Sequence, residues 1–149
     1  MPVMGVARFE RFFRVAAGVD IDKSDLRRFN DFIDEKLYHL LLIGAATAKA
    51  NVRDVMEPHD LPITKGLQEC VHDFRELKEE VEVEPLLEWL ARYPPLDASP
   101  SDETESRLPE IVGGLSVALA RAFKIIDPEV KNPRTEQWDR VTRIFDLLV

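Results

Sequence analysis

The feature that most constrains this chain is one uninterrupted helical pattern that runs from Ser24 to Asn51. Apolar side chains recur in it at steps of three and four residues, the spacing of a single buried helix face: Leu26, Phe29, Ile33, Leu37 and Leu40. No proline interrupts the pattern, and a helix of this length spans roughly 40 Å at 1.5 Å per residue. We predict that Ser24 caps this helix and that the shorter segments of the chain pack along it.

Shorter helical patterns lie on both sides of the long one. A first helix from Val6 to Ala17 places its phenylalanines on one face, and Gly18 is its expected end: Phe9, Phe12 and Phe13. After the long helix, three apolar residues predict a brief extended segment: Val52, Val55 and Met56. We expect Asp60 to cap a third helix that has Pro62 in its first turn. Its predicted buried stripe is Ile63, Leu67, Cys70, Phe74 and Leu77.

The second half of the chain repeats this order. A shift of 77 residues carries Ser24 and Asp25 onto Ser101 and Asp102. The same shift carries the phenylalanines of the first helix onto a second apolar set: Leu86, Trp89 and Leu90. It also aligns Leu61 with Trp138 and Leu67 with Ile144. The chain is therefore expected to contain two similar helical units.

The repeat predicts the elements of the second unit. Pro85 opens a short helix, and a long helix follows from Asp102 to Ile126. Pro109 should kink the long helix or separate its first turns, because proline lacks the N–H that the helix requires. The last helix carries the apolar residues Trp138, Val141, Ile144, Phe145 and Leu148.

Two similar units that cannot each bury an apolar face alone are expected to pair in one core. We predict an all-α protein that forms a single domain over residues 1–149. Its first unit occupies residues 1–80 and its second unit residues 84–149, with a short acidic linker at residues 79–84 in which Val81 and Val83 offer a less favoured strand.

Charge and cysteine content exclude several classes of protein. The formal net charge of −8 disfavours a broad, nonspecific grip on nucleic acid, because binding to phosphate draws on a basic surface. Cys70 is the single cysteine, so an internal disulfide is excluded. The sequence contains neither a secretory signal pattern nor a run of apolar residues long enough to span a bilayer. We therefore predict a cytoplasmic protein that does not associate with membranes.

Particular fragments carry a resemblance to a known family. A short helix, a central helix of about 27 residues, an extended loop and a third helix resemble the histone fold. Arg53 and Asp60 lie seven positions apart in AKANVRDVMEPHDL, the spacing at which archaeal histones place an arginine and an aspartate that brace this loop. The chain also resembles the bacterial double-histone-fold proteins of unknown function, through the fragments FERFFRVAAGVDIDKSDL, LPITKGLQE, YPPLD and DPEVKNPRTE.

The resemblance implies where DNA would bind. In histone dimers the first loop of one unit and the second loop of the other lie side by side on the DNA backbone. One such pair would hold Lys23, Lys131 and Arg134, and the opposite pair would hold Arg53 with residues 97–101. A stripe on the first helix would add phosphate contacts through Arg8, Arg11 and Arg14. DNA-binding histones carry small hydroxylated and basic residues after the loop arginine, where this chain has Asp54, Val55 and Glu57.

Each candidate site also has a structural interpretation. The arginine stripe is typical of a solvated helix face, and Arg53 with Asp60 is typical of a structural ion pair. Glu69 and His72 have half of the spacing of a di-iron site, but no second pair accompanies them. Ser116 lies in a loosened nucleophile-elbow pattern inside a helix, and the small residues around it are expected where the central helices cross: Gly113, Gly114 and Ser116. Cys70 belongs to an apolar stripe and is expected to behave as a buried hydrophobic residue.

These observations predict a protein that is not an enzyme and that holds no metal or cofactor. Its expected role is that of a protein interaction or assembly module, which presents helical surfaces to a protein partner or to another copy of itself. The alternative is a nucleoid-associated DNA-binding protein that uses the one basic loop pair of Lys23, Lys131 and Arg134.

Overall fold

The computed structural model describes residues 5–79 and 83–149, apart from the side chains at 83, 84 and 86. The first half contains α1 (Val6–Ala17), α2 (Lys23–Ala50), β1 (Val55–Met56), a 3₁₀ turn (Pro58–Asp60) and α3 (Lys65–Glu76). The second half contains α4 (Val83–Leu90), β2 (Ser99–Pro100), α5 (Asp102–Ile126) and α6 (Thr135–Leu148). Residues 80–82 of the predicted linker lie outside the described residues, and Val83, one of the two valines of its less favoured strand, begins α4 instead.

The two long helices begin at different kinds of cap. Asp22, not Ser24, caps α2, because its side chain accepts a hydrogen bond of 2.8 Å from the backbone N–H of Ser24. Asp25 returns the interaction by accepting from the backbone N–H of Asp22 at 3.1 Å, which completes a capping box. The prediction of Ser24 as the cap was therefore wrong by two residues. Ser101 caps α5, and its Oγ accepts from the N–H of Thr104 at 3.1 Å.

Asp60 does not cap the third helix. Its carboxylate accepts hydrogen bonds from the Arg53 guanidinium and from the backbone N–H of Glu57, so it is fully engaged in the loop. The helix begins only at Lys65, after Thr64 accepts a hydrogen bond of 3.2 Å from the N–H of Leu67. Pro62 consequently lies before α3 rather than in its first turn.

Helix α5 runs through Pro109 without interruption, contrary to the predicted possibility of a split. Every residue from Ile111 to Val117 is buried, so α5 is surrounded by other parts of the protein along two turns. We infer that this packing compensates for the hydrogen bond that proline cannot donate. In the same half, α4 begins at Val83, two residues before Pro85.

The loops of the two halves meet at opposite ends of the molecule. At one end β1 and β2 form a two-residue parallel bridge, in which Val55 pairs with Ser99 and Met56 with Pro100. Thr104 strengthens this end by donating a hydrogen bond of 2.7 Å to the carbonyl of Met56. At the other end the N–H of Asp20 donates to the carbonyl of Lys131 at 2.6 Å. The first loop of each half therefore contacts the second loop of the other half, and the two halves form an internal pseudo-dimer.

Each half also covers the long helix of the other. Helices α1 and α3 pack on α5, and Gly113 and Gly114 allow close approach because a Cβ atom on either would lie 2.3–2.5 Å from Phe74 or Val71. These glycines therefore allow α3 to approach α5 closely. The prediction that they lie where the two central helices cross was wrong. Ser116 is buried beside them and donates to the carbonyl of Val112 at 2.7 Å.

Helix α2 is covered in turn by elements of the second half. Phe145 of α6 meets Phe32 edge-on at a centroid distance of 4.9 Å. Tyr38 contacts Tyr93, just after α4, at 4.6 Å. Lys36 is fully buried, and its Nζ donates to Asp146 near the end of α6. A buried ammonium without this carboxylate would be strongly destabilising, so the ion pair fixes the end of α6 against α2.

The repeat of 77 residues fails at the last helix of each unit. The N-caps of α3 and α6, Thr64 and Arg134, lie 70 residues apart. Leu67 is buried, whereas Ile144, its counterpart in the shifted alignment, is 43% exposed. The match of Ile144 with a core position was therefore wrong, and Leu148, near the end of α6, is 73% exposed.

Candidate nucleic-acid interface

The first loop pair brings together residues that the resemblance assigns to DNA binding. Lys131 and Arg134 line a surface hollow of about 480 Å³ together with Asp22, Asp127 and Glu129. The backbone hydrogen bond from Asp20 to Lys131 fixes the two loops relative to each other. Lys23 is exposed at the start of α2, next to the capping Asp22.

The same hollow has no excess of positive charge. Its lining contains four acidic side chains, those of Asp22, Asp25, Asp127 and Glu129, and two cationic ones, those of Lys131 and Arg134. Hydrogen bonds from Ser24 lower the pKa of Asp22, so this carboxyl stays ionised at neutral pH. A duplex approaching this surface would meet more acidic than basic side chains, which disfavours release of counterions from its phosphates.

The arginine stripe of α1 is not a free basic surface. Arg11 forms an ion pair of 3.1 Å with Glu79, which follows α3, and Arg14 lies 3.7 Å from Asp20 in the first loop. Arg8 is partly buried. Both ion pairs are exposed and contribute little to stability, but they offset the charge that phosphate binding would need.

The second loop pair contains a bidentate ion pair. Two nitrogens of Arg53 each donate to one oxygen of Asp60 at 2.7 Å, and Arg53 also donates to the carbonyl of Val55 at 3.2 Å. The Asp60 side chain is 1% exposed, and the Arg53 guanidinium holds the pKa of this carboxyl well below its usual range. The geometry supports a bracing role for the pair, since both oxygens of Asp60 are used within the loop.

Beyond Arg53 the loop surface is apolar and acidic. Lys49 pairs with Asp54, and the side chain of Val55 is 45% exposed. Val52 is 94% exposed and has a φ of 58°, in the left-handed region. A β-branched residue is strained there because its side chain crowds the backbone.

Replacing Val52 with glycine should raise the free energy of unfolding by about 1 kcal/mol. Relief of the left-handed strain contributes roughly 1–2 kcal/mol, from which the greater backbone freedom of glycine subtracts about 0.5–1 kcal/mol. Urea denaturation followed by circular dichroism measures the change. Val55→Gly, in the extended strand next to it, is the matched control and should destabilise. A Val52→Gly protein less stable than the parent would show that the loop gains packing energy from this valine.

The other candidate groups do not form a metal centre in the part of the chain that the structure describes. Glu69 and His72 are exposed on α3, and no cluster of three or more histidine, cysteine or acidic side chains able to hold a metal occurs in the described residues. Cys70 is only partly buried, and that burial raises the pKa of its thiol. Ser116 is completely buried and its hydroxyl hydrogen is committed to a backbone carbonyl. None of the described helices is long and apolar enough to cross a membrane.

Sequence reasoning missed two features of the surface around α6. One is the buried Lys36, which a polar position in a helical pattern does not distinguish from an exposed lysine. The other is the exposed strip of Ile144, Leu147 and Leu148. The sequence did contain a signal for this strip. Trp138, Val141 and Phe145 follow the i, i+3, i+7 spacing of one helix face, and Ile144 and Leu148 lie outside that face.

Comparison with known proteins identifies the fold. The histone of Methanopyrus kandleri is 12% identical and superposes with a TM-score of 0.60, covering 91% of this chain and 90% of its own. The likeness shows that the two helical units adopt the histone fold.

Bacterial proteins are more similar to the chain. A crystal structure of a Thermus thermophilus protein is 48% identical, with a TM-score of 0.94 over 99% of each chain. A crystal structure of an Aquifex aeolicus protein is 26% identical, with a TM-score of 0.79 over 96% of this chain and 94% of its own. An uncharacterised protein of Aquifex aeolicus is 27% identical over 142 residues, which is 95% of this chain and 82% of that protein.

The family described as a domain of unknown function, DUF1931, matches residues 9–146, from the first buried phenylalanine to the aspartate that binds Lys36. This span includes all the elements from α2 to α5, most of α1 and α6, and both loop pairs. The chain therefore belongs to the DUF1931 family of bacterial proteins with a double histone fold.

Proposed function

We propose that this protein is a non-enzymatic interaction or assembly module, in which the internal pseudo-dimer presents a rigid helical surface to a protein partner. The observation that carries the proposal is the charge balance of the loop pairs. At the first pair, carboxylates accompany Lys23, Lys131 and Arg134, and at the second pair Arg53 is committed to Asp60. The surfaces through which histones hold DNA are thus neutral or acidic here.

The exposed apolar side chains of the second half support the same conclusion. Leu147 is 84% exposed and Leu148 is 73% exposed, although α6 has a well-packed inner face. Apolar side chains grouped on one surface mark sites of protein interaction more often than sites of nucleic-acid binding. The single cysteine supports a cytoplasmic location for this activity, since thiols stay reduced there.

The alternative is DNA binding through the first loop pair, which is favoured by the exposure of Lys23, Lys131 and Arg134 on one side of the molecule. Titration of duplex DNA at several salt concentrations separates the two functions. We expect binding no tighter than the roughly 10⁻⁴ M that is the weak limit of nonspecific association at physiological salt.

A charge-reversal pair gives this experiment its control. Lys131→Glu changes the loop pair, whereas Lys65→Glu makes the same change at an 89% exposed side chain on α3. Tight binding at low salt that falls steeply as salt rises, and that Lys131→Glu weakens more than Lys65→Glu, would establish DNA binding and overturn the proposed function.

A further inference from the structure

A surface groove lies along the junction of α3 with the first half of α5, next to the 3₁₀ turn. Its volume is about 980 Å³, twice that of the hollow at the first loop pair. Three apolar side chains line it while remaining less than one-tenth exposed, so they form its floor: Leu61, Val71 and Ile111. An apolar side chain of a ligand placed on this floor would leave water, which favours its binding.

Two ion pairs form the rim of this groove. Two nitrogens of Arg75 donate to the two oxygens of Glu110 at 3.0 Å and 2.6 Å, so this pair joins α3 to α5. Arg107 donates to Glu103 at 2.9 Å on the surface of α5. The hydrogen bonds from Arg75 lower the pKa of Glu110, which keeps this carboxylate ionised at neutral pH. All four side chains are at least 39% exposed, so a ligand in the groove would reach them.

Glu57 adds a third carboxylate at the end of the groove nearest the 3₁₀ turn. It accepts a hydrogen bond of 3.2 Å from the hydroxyl of Ser101, which is an uncharged partner. With His59 counted as neutral, the lining carries two guanidinium groups and three carboxylates, a charge of 2 − 3 = −1. A cationic ligand would offset this excess, whereas an anionic ligand would add to it.

The corresponding corner of the second half is filled by an aromatic side chain. In that corner the loop before α6 adjoins the start of α2, as the loop before α3 adjoins the start of α5 at the groove. Trp138 is buried there, donates to Asp25 at 3.0 Å and meets the ring of Phe123 edge-on at 4.9 Å. Among the described residues, no phenylalanine, tyrosine or tryptophan lines the groove of the first half. Packing within the fold therefore does not require this groove to stay open.

We propose that the groove binds a peptide segment of a protein partner in which apolar side chains lie next to an arginine or a lysine. The proposal rests on the proposed function and names the chemistry of the partner. The apolar side chains of the segment would cover the floor, and its cationic side chain would pair with the carboxylates of the rim.

Size and charge both fit this occupant. The volume of the groove is close to the upper limit of roughly 1,000 Å³ for pockets that hold a single small molecule, and it accommodates several side chains of a peptide. The formal net charge of −8 on the whole chain also favours the approach of a basic partner.

Selection from a phage library of random dodecapeptides against the full chain tests the proposal. We expect the selected peptides to be enriched in leucine, isoleucine or phenylalanine next to arginine or lysine. A synthetic copy of the most enriched peptide, labelled with fluorescein, then gives dissociation constants by fluorescence anisotropy. Glu103→Lys and, separately, Glu110→Lys should weaken its binding by about tenfold or more, because like charges would then face each other.

Glu136→Lys is the matched control for these variants. It makes the same change of charge at an exposed residue of α6, at the opposite end of the molecule. We expect the dissociation constant to change by less than about twofold, because charges further apart than a Debye length are screened at physiological salt. Circular dichroism verifies that each variant is folded.

Two results would overturn the proposed binding site. One is a selection that enriches no peptide or enriches peptides without basic residues. The other is an enriched peptide whose binding Glu103→Lys and Glu110→Lys weaken no more than Glu136→Lys does. Either result leaves the proposed function standing, because that function fails by a different observation, salt-dependent binding of duplex DNA.

Discussion

Gly113→Val should lower the free energy of unfolding by about 3 kcal/mol or more, the largest effect expected from any single substitution considered for this fold. A Cβ atom at this position would lie 2.3 Å from the ring of Phe74. The ring cannot turn aside easily because Phe12 lies against it, with ring centroids 6.0 Å apart. The whole of α3 would have to move away from α5, which would expose the core between the two halves.

Gly66→Ala is the control for the effect of removing a glycine from a helix. Gly66 lies in α3 with nothing within 4 Å of the added Cβ, so alanine should stabilise the protein by about 0.5–1 kcal/mol. Urea denaturation compares both variants with the parent. Phe74→Leu combined with Gly113→Val should recover part of the loss, because the smaller side chain makes room for the valine. If Gly113→Val proved as stable as the parent, the close contact between α3 and α5 described above would be incorrect.

Separation of the two halves should abolish folding of each. A fragment of residues 1–82 lacks α5, on which α1 and α3 pack, and a fragment of residues 83–149 leaves Ile111 to Val117 without the cover of α3. Each fragment alone should show the circular dichroism of a largely unfolded chain. An equimolar mixture should regain the helical spectrum, with a midpoint of thermal unfolding that rises with concentration.

The mixture itself provides the control, because Gly113→Val in the second fragment should weaken reassembly while Gly66→Ala in the first should not. A cooperative unfolding transition for residues 1–82 alone would contradict the exchange of covering helices. It would mean that α2 by itself supplies enough apolar surface for a stable unit.

The long helices could be predicted because their apolar periodicity is long and regular. The bounds of α5 agree with the sequence prediction, and those of α2 differ by one residue at each end. The start of α3 could not be predicted, since a choice between Asp60 and Thr64 as the cap depends on the side chain of Arg53. The local sequence shows which residues are able to cap a helix. The ion pair between Arg53 and Asp60 determines that Thr64 is the one that does.

The sequence predicted where the candidate surfaces lie, but not which of their side chains are exposed. Fold resemblance placed Lys131 beside the first loop, and the structure shows the hydrogen bond to Asp20 that brings them together. Neither the resemblance nor the sequence pattern revealed the exposed strip of α6. Two neighbouring rows of apolar residues on one helix have the same periodicity, so the pattern does not distinguish the buried row from the exposed one. Packing of Trp138 against Phe123 chose the line that faces inward and left Ile144 outside.

The mutual covering of the two halves also affects how the chain is made. Helices α1 and α3 leave the ribosome well before α5 does, so their apolar faces have no surface to pack against while the second half is being translated. At roughly 5–20 residues per second, the wait lasts several seconds, far longer than an isolated helix or a collapsed globule takes to form. The first half of the nascent chain is therefore a ready substrate for cellular chaperones until its counterpart is synthesised.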